Sequence, residues 1–228
     1  MGCAASREKL AAVDLPSANG QMTPDQCVNR DPAKKQTAFI LKEKFFSWGG
    51  DFDIKDETGA VKYKVKGAVM TMRDKMVIYD PSGKALCMLQ KKLLSWTPCY
   101  QVYTYKPNFK GQESTETDDK TPVYRFAIID TKFFSCPQQY TYSLYATSND
   151  EPVQLWSAVE VCPSWRFQMV IDSAAGVSIA KVGQTTLLQF DAANEYAVEV
   201  AVGVDPLGML CLAIAGEQIR DARNRRSD

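Results

Sequence analysis

A chain of 228 residues, 45% apolar and 24% charged, has the size for one sizeable domain or two small ones and the balance of a globular protein. Lys plus Arg equals Asp plus Glu, 27 each, so no global field draws nucleic acid and any polyanion site is a local patch. Histidine is absent, which removes the commonest general base, the commonest zinc ligand and every Ser-His-Asp or Cys-His arrangement.

The chain opens Met1-Gly2-Cys3-Ala4-Ala5-Ser6, the Met-Gly-x-x-x-Ser pattern in which loss of Met1 exposes Gly2 for N-myristoylation. Cys3 stands beside it as the thiol for S-palmitoylation. A buried methylene contributes about 0.8 kcal/mol, so one myristoyl chain binds only marginally and two chains hold stably. Arg7 and Lys9 add weak electrostatic help. Residues 1–37 read as a flexible tail: Pro16, Pro24 and Pro32 punctuate a polar stretch without a lasting apolar period, which cannot offset its ordering entropy.

From Phe39 the chain becomes short β-branched and aromatic runs with turn signals every 8–12 positions, the mark of an antiparallel sandwich or barrel. Val61-Lys62-Tyr63-Lys64-Val65-Lys66 alternates apolar and basic residues, predicting a strand with one packed face and three lysines on the other. Asp80-Pro81-Ser82-Gly83 predicts a tight turn joining strands over 76–79 and 85–89. Further strands are predicted near 100–106, 123–131, 138–147, 153–161, 165–171, 176–181, 185–190 and 195–202, with the polar run Lys110 to Lys120 as a loop. Glu43-Lys44-Phe45-Phe46-Ser47-Trp48 echoes Thr131-Lys132-Phe133-Phe134-Ser135-Cys136, a hint of two related halves.

The last element differs. Asp205 is a good N-cap, Pro206 suits a first helical turn, and Leu207 to Ala215 is apolar on every side before Glu217, Arg220 and Arg223 turn the helix polar. Nine such residues fall far short of the roughly 20 that cross a bilayer, so the helix belongs inside the β-structure. The polar end, 224–228, is a tail.

The seven cysteines, at 3, 27, 87, 99, 136, 162 and 211, form no Cys-x-x-Cys pair, and several sit among apolar residues as buried free thiols do. No apolar signal segment follows Met1, so a reducing cytosolic setting is expected. Asp51, Asp53, Asp56 and Glu57 lack the spacing of a calcium loop, and a hairpin turn at Asp56-Glu57-Thr58-Gly59 explains them. Trp48-Gly49-Gly50 reads as a turn, and Tyr140, Tyr142 and Tyr145 as barrel rim and core. No metal or cofactor site is expected.

Tyr63-Lys64-Val65-Lys66-Gly67, Met72-Arg73-Asp74-Lys75, Asp80-Pro81-Ser82-Gly83-Lys84-Ala85-Leu86, Lys91-Lys92-Leu93-Leu94-Ser95-Trp96 and Val102-Tyr103, in that order, resemble the LURP-one-related family. That family is similar in fold to the Tubby C-terminal domain and to phospholipid scramblases. The resemblance covers residues 38–223 and implies a mainly β fold, a 12-stranded antiparallel barrel around a hydrophobic C-terminal helix. It supplies no catalytic residue, and the scramblase cysteine cluster is missing, so neither lipid scrambling nor calcium dependence carries over. Tubby domains bind phosphoinositides through surface lysines and arginines, which directs attention to Lys62, Lys64, Lys66, Arg73 and Lys75 as headgroup candidates.

The function expected is a non-enzymatic, lipid-anchored protein on the cytosolic face of the plasma membrane, whose barrel engages anionic phospholipid or phosphoinositide. Two alternatives stand beside it: a scaffold that binds a protein partner and uses its lipid tail only for location, and scramblase-like lipid transport.

Overall fold

The computed structural model describes residues 13–15, 22–42, 51–67, 75–132, 135–161, 168–183 and 195–224. Thirteen strands run in chain order: β1 (Thr37–Lys42), β2 (Phe52–Asp56), β3 (Val61–Gly67), β4 (Met76–Tyr79), β5 (Ala85–Lys91), β6 (Cys99–Thr104), β7 (Glu116–Asp118), β8 (Thr121–Thr131), β9 (Gln139–Leu144), β10 (Val153–Glu160), β11 (Met169–Ser173), β12 (Ser178–Gly183) and β13 (Glu195–Val200). One helix, α1 (Pro206–Asn224), follows.

Each strand pairs antiparallel with its neighbours. β1 joins β13 with Phe39 opposite Val198, and β6 joins β8 with Val102 opposite Ala127, so the sheet closes on itself. Twelve strands form the wall and β7 hangs from β8. Closure removes the exposed edges along which sheets aggregate.

The period-2 pattern decides which side chains enter the lumen. In β2, Phe52 and Ile54 are buried while Asp53 and Lys55 face solvent; in β9, Tyr140, Tyr142 and Leu144 are buried. β6 is buried at every position because its outer side is covered as well. There Val77, Met88, Tyr103 and Val123 form a second apolar cluster with Tyr79, Ala85 and Tyr105. Beside it the β7–β8 hairpin anchors itself to the wall: Asp118 pairs with Lys75 and accepts from the Tyr105 hydroxyl at 2.5 Å.

α1 fills the lumen, with Leu207 and Met209 through Ala215 all sealed from solvent. Such all-round burial is what an apolar helix without a polar face requires. Its start is built by Asp205, as the sequence predicts. Oδ1 accepts the N–H of Leu207 at 3.1 Å and Oδ2 accepts the N–H of Val28 at 2.8 Å. Burial pushes the Asp205 carboxyl up to about 7, against the opposing pull of N–H donors at Val28, Gly208 and Leu207. Gly208 lets Trp156 lie against the first turn: a Cβ there would stand 2.8 Å from Asp205 Oδ2 and 2.9 Å from Trp156 Cη2. The Trp156 ring in turn stacks on Tyr142 with centroids 4.3 Å apart.

Residues 22–36, assigned from sequence to the tail, contribute to the fold. Cys27 and Val28 are buried, Met22 N–H donates to the Gly203 carbonyl, and Ala33 exchanges backbone bonds with Gly203 and Val204. This plug carries no apolar period because it docks mainly through its backbone, so the sequence pattern is silent there. Burial pushes the Cys27 thiol up to about 12.

Other differences are local. The loop Lys110 to Lys120 contains β7, set by a two-residue turn in which Asp119 (φ 44°) and Lys120 (φ 70°) are both left-handed. That is type I′ geometry, which usually announces itself as Asn-Gly. The strand expected over 165–171 runs instead over Met169–Ser173, and the one at 185–190 lies outside the described residues. The Asp56-Glu57-Thr58-Gly59 turn is present, with Asp56 Oδ1 accepting from Thr58 N–H at 2.9 Å and Ala60 N–H at 3.0 Å. Tyr140, Tyr142 and Tyr145 are buried, as expected of core. The echo falls between the first and second strands of each six-strand half, β1–β2 and β8–β9, although Glu43 to Trp48 lies outside the described residues.

Because all pairings are antiparallel, connections alternate between two barrel ends. Those after β2, β4, β6, β9, β11 and β13 lie at the end where α1 begins. The strands β1, β3, β5, β8, β10 and β12 finish at the end where α1 ends, as Arg223 shows by reaching Glu160 at 3.2 Å and Gln138 at 3.2 Å.

Candidate lipid-facing wall

Three of the predicted headgroup residues share one surface. Lys62, Lys64 and Lys66 alternate along β3 and all three are exposed, while Val65 between them is buried and Tyr63 is half-buried with its ring 5.8 Å from that of Phe39. Exposed Lys55 on β2 joins them from the neighbouring strand.

The row is not a pure field of cations. Lys62 Nζ lies 3.3 Å from Asp56 Oδ2, Lys66 Nζ stands 5.4 Å over the Tyr79 ring, and Lys64 faces Asp53 across the β2–β3 ladder. Exposed ion pairs of this kind hold their partners by only about 0–1 kcal/mol, so the lysines are not locked away from a competing anion. Asp56 is the firmest of the acids: hydrogen bonds from Thr58, Ala60 and Lys62 hold its carboxyl down at about 2. A shallow cleft of ≈ 360 Å³ runs between the two strands, lined by Asp51, Asp53, Lys55, Lys64 and Lys66 among others. Four lysines against three carboxylates leave a small positive excess.

Lys75 is not one of these exposed lysines. It is largely covered and paired with Asp118, across from Tyr105, where it pins the β7–β8 hairpin. Arg73, Gly2 and Cys3 lie outside the described residues. No cluster of three or more His, Cys, Asp or Glu side chains suited to a metal occurs among the described residues. β5 ends at Lys91, and Leu93, Leu94 and Trp96 stand exposed on the connection to β6, a feature the sequence pattern does not announce. The signal was a Leu-Leu-Ser-Trp run too short for either period.

A closed antiparallel barrel threaded by its own C-terminal helix, with no helix among the described residues long and apolar enough to cross a membrane, defines a helix-filled barrel module. The sequence pattern of the LURP-one-related family matches residues 37–216, and the chain belongs to that family. It is 29% identical over 93 residues to Protein LURP-one-related 15 of Arabidopsis thaliana, spanning 41% of this chain and 40% of the relative. It is 34% identical over 63 residues to the uncharacterized protein YxjI of Bacillus subtilis, spanning 28% of this chain and 39% of that one. The chain therefore aligns with about two fifths of each of these relatives. An X-ray structure of an Arabidopsis thaliana protein superposes with a TM-score of 0.53 at 18% identity, over 90% of this chain and 99% of the other, a likeness of fold.

Proposed function

We propose that this protein is a non-enzymatic peripheral module of the cytosolic face of the plasma membrane. Acyl chains on Gly2 and Cys3 tether it, and the β3 wall engages anionic phospholipid or phosphoinositide. The observation that carries the reading is the row Lys62, Lys64 and Lys66, exposed together on one strand next to Lys55. The N-terminal motif supports it from the sequence side: a tether turns the wall's weak attraction into an orienting contact, since each lysine near an anionic surface contributes about 1 kcal/mol. The filled lumen favours a surface role over lipid passage through the barrel, because α1 occupies the space a lipid would need.

Replacing Lys62, Lys64 and Lys66 by Gln tests this. Three lysines supply at most about 3 kcal/mol. The neighbouring carboxylates cut that roughly in half, so affinity for phosphatidylserine vesicles is expected to fall about tenfold. Unchanged affinity would favour the second reading, a scaffold whose lipid tail alone sets location. Gly2→Ala separates the tether from the wall: it weakens membrane attachment in either case, and a residual salt-sensitive binding to anionic vesicles is expected only where the wall reads lipid.

A further inference from the structure

The connection between β5 and β6 presents an apolar apex. Leu94 is 91% exposed, Trp96 99% and Leu93 49%, three of the five exposed large apolar side chains among the described residues. Its root is fixed. Lys92 N–H donates to the Cys99 carbonyl at 2.9 Å, Thr97 Oγ1 donates to Asp130 Oδ1 at 2.6 Å, and Thr131 Oγ1 donates to the Pro98 carbonyl at 3.1 Å. The apex is therefore a spike held on a firm base. A contiguous exposed apolar group on such a base marks an interaction site.

The surroundings of the spike carry more cations than acids: Lys91, Lys92 and Arg125 line the cleft beside Leu93 and Leu94 together with Glu116 and Asp150. Lys92 is exposed at its near side, and exposed Lys132 follows Thr131, the residue that bonds the loop's root. Asp130, the acid at the root, has one carboxylate oxygen engaged by both the Thr97 hydroxyl and the Thr131 N–H. α1 ends at this same barrel end, and Lys66, one residue from the end of β3, stands nearer to it than Lys62 does.

Building on the membrane reading above, we infer that the β5–β6 apex seats Leu94 and Trp96 in the interfacial layer of an anionic bilayer, with Lys92 and Lys132 against its phosphates. The chemistry matches that layer: Trp favours the headgroup boundary, Leu the acyl side, and flanking lysines the anionic surface. A four-residue tip is far smaller than the roughly 800 Å² per partner of a stable protein interface, yet suffices as a wedge in lipid. The barrel then stands with the end at which α1 terminates toward the membrane, which brings Lys66 and Lys64 closest to the headgroups.

The test is the full-length, unacylated chain and its Leu94→Ser/Trp96→Ser variant, sedimented with phosphatidylcholine vesicles with and without phosphatidylserine. Neither side chain is packed, so circular dichroism melting of the variant should match the parent and show that the fold is kept. The expected result is a loss of affinity for the anionic vesicles of about tenfold or more, and quenching of parent Trp emission by brominated lipid that the variant lacks. A variant that binds like the parent overturns the insertion while leaving the membrane reading intact. A parent that binds neither vesicle fails the membrane reading and the insertion with it. Lipid-free association of the parent that the variant abolishes would reassign the apex to contact between copies and overturn the proposal.

Discussion

The cap of the buried helix makes the sharpest stability prediction. Asp205 is fully enclosed, and its carboxyl titrates at about 7 in the folded chain against an ordinary 3.8, a difference worth about 4 kcal/mol. From about pH 4 to about pH 7 the unfolded chain has lost this proton while the native chain retains it. The native state then binds more protons, so this group's contribution falls as pH rises through the window and is flat above it. Asp56 and Asp118 act the other way, because hydrogen bonds to Thr58 and Lys75 respectively help hold both carboxyls below the usual range. Their contribution is lost only as pH falls below about 4. Asp205→Asn keeps an oxygen for the Leu207 N–H but cannot ionise, and its amide group opposes the Val28 N–H. One buried donor left unmade costs about 1–3 kcal/mol. Urea unfolding followed by far-UV circular dichroism from about pH 5 to about pH 8 should show parent stability declining toward neutral pH and a flatter profile for Asp205→Asn. Asp205→Ala, lacking both acceptors, should be the least stable of the three. An Asn variant that keeps the parental decline would show that Asp205 does not titrate there and would refute the reasoning.

Gly208→Ala should cost about 1–3 kcal/mol in the same assay, because its Cβ meets the Trp156 ring at 2.9 Å and Trp156 is itself wedged against Tyr142; a neutral effect would mean that the first turn of α1 can shift. Thiol labelling of the folded chain should modify exposed Cys136 quickly and spare Cys27, Cys87, Cys99 and Cys211, all buried. The Cys87 and Cys211 sulfurs lie 3.8 Å apart in the core; their mutual hydrogen bond and burial push the Cys87 thiol well above its usual range. Labelling of either in the native state, read by mass spectrometry of the digested protein, would contradict the sealed lumen.

The parts of this fold that were legible in the sequence are those whose residues obey a local rule. The Lys-Tyr-Lys-Val-Lys alternation fixes a strand and its outward face, Asp-Pro-Ser-Gly fixes a turn, and a nine-residue apolar run after Asp205 fixes a buried helix. Elements whose stability comes from distant partners were silent. β7 is Glu-Thr-Asp, polar throughout, and owes its place to Lys75 and Tyr105 against Asp118, 43 and 13 residues away. The plug at 22–36 depends on backbone bonds to Gly203 and Val204 and on the Asp205 carboxylate, which accepts the Val28 N–H. The candidate wall shows the same division. Outward orientation of Lys62, Lys64 and Lys66 followed from period 2. The acids among them and the burial of Lys75 in a structural pair could not be read without the β2–β3 register and the folded β7–β8 hairpin.

The most direct measurement is sedimentation of the full-length, unacylated chain with neutral vesicles and with vesicles carrying phosphatidylserine or phosphoinositide, at low and at physiological salt. The proposed membrane role predicts binding to the anionic vesicles alone, weakened by salt as a surface contact within about 10 Å of charge must be. Equal recovery in the supernatant for every vesicle at low salt would contradict it, and would leave the barrel without a lipid-reading role.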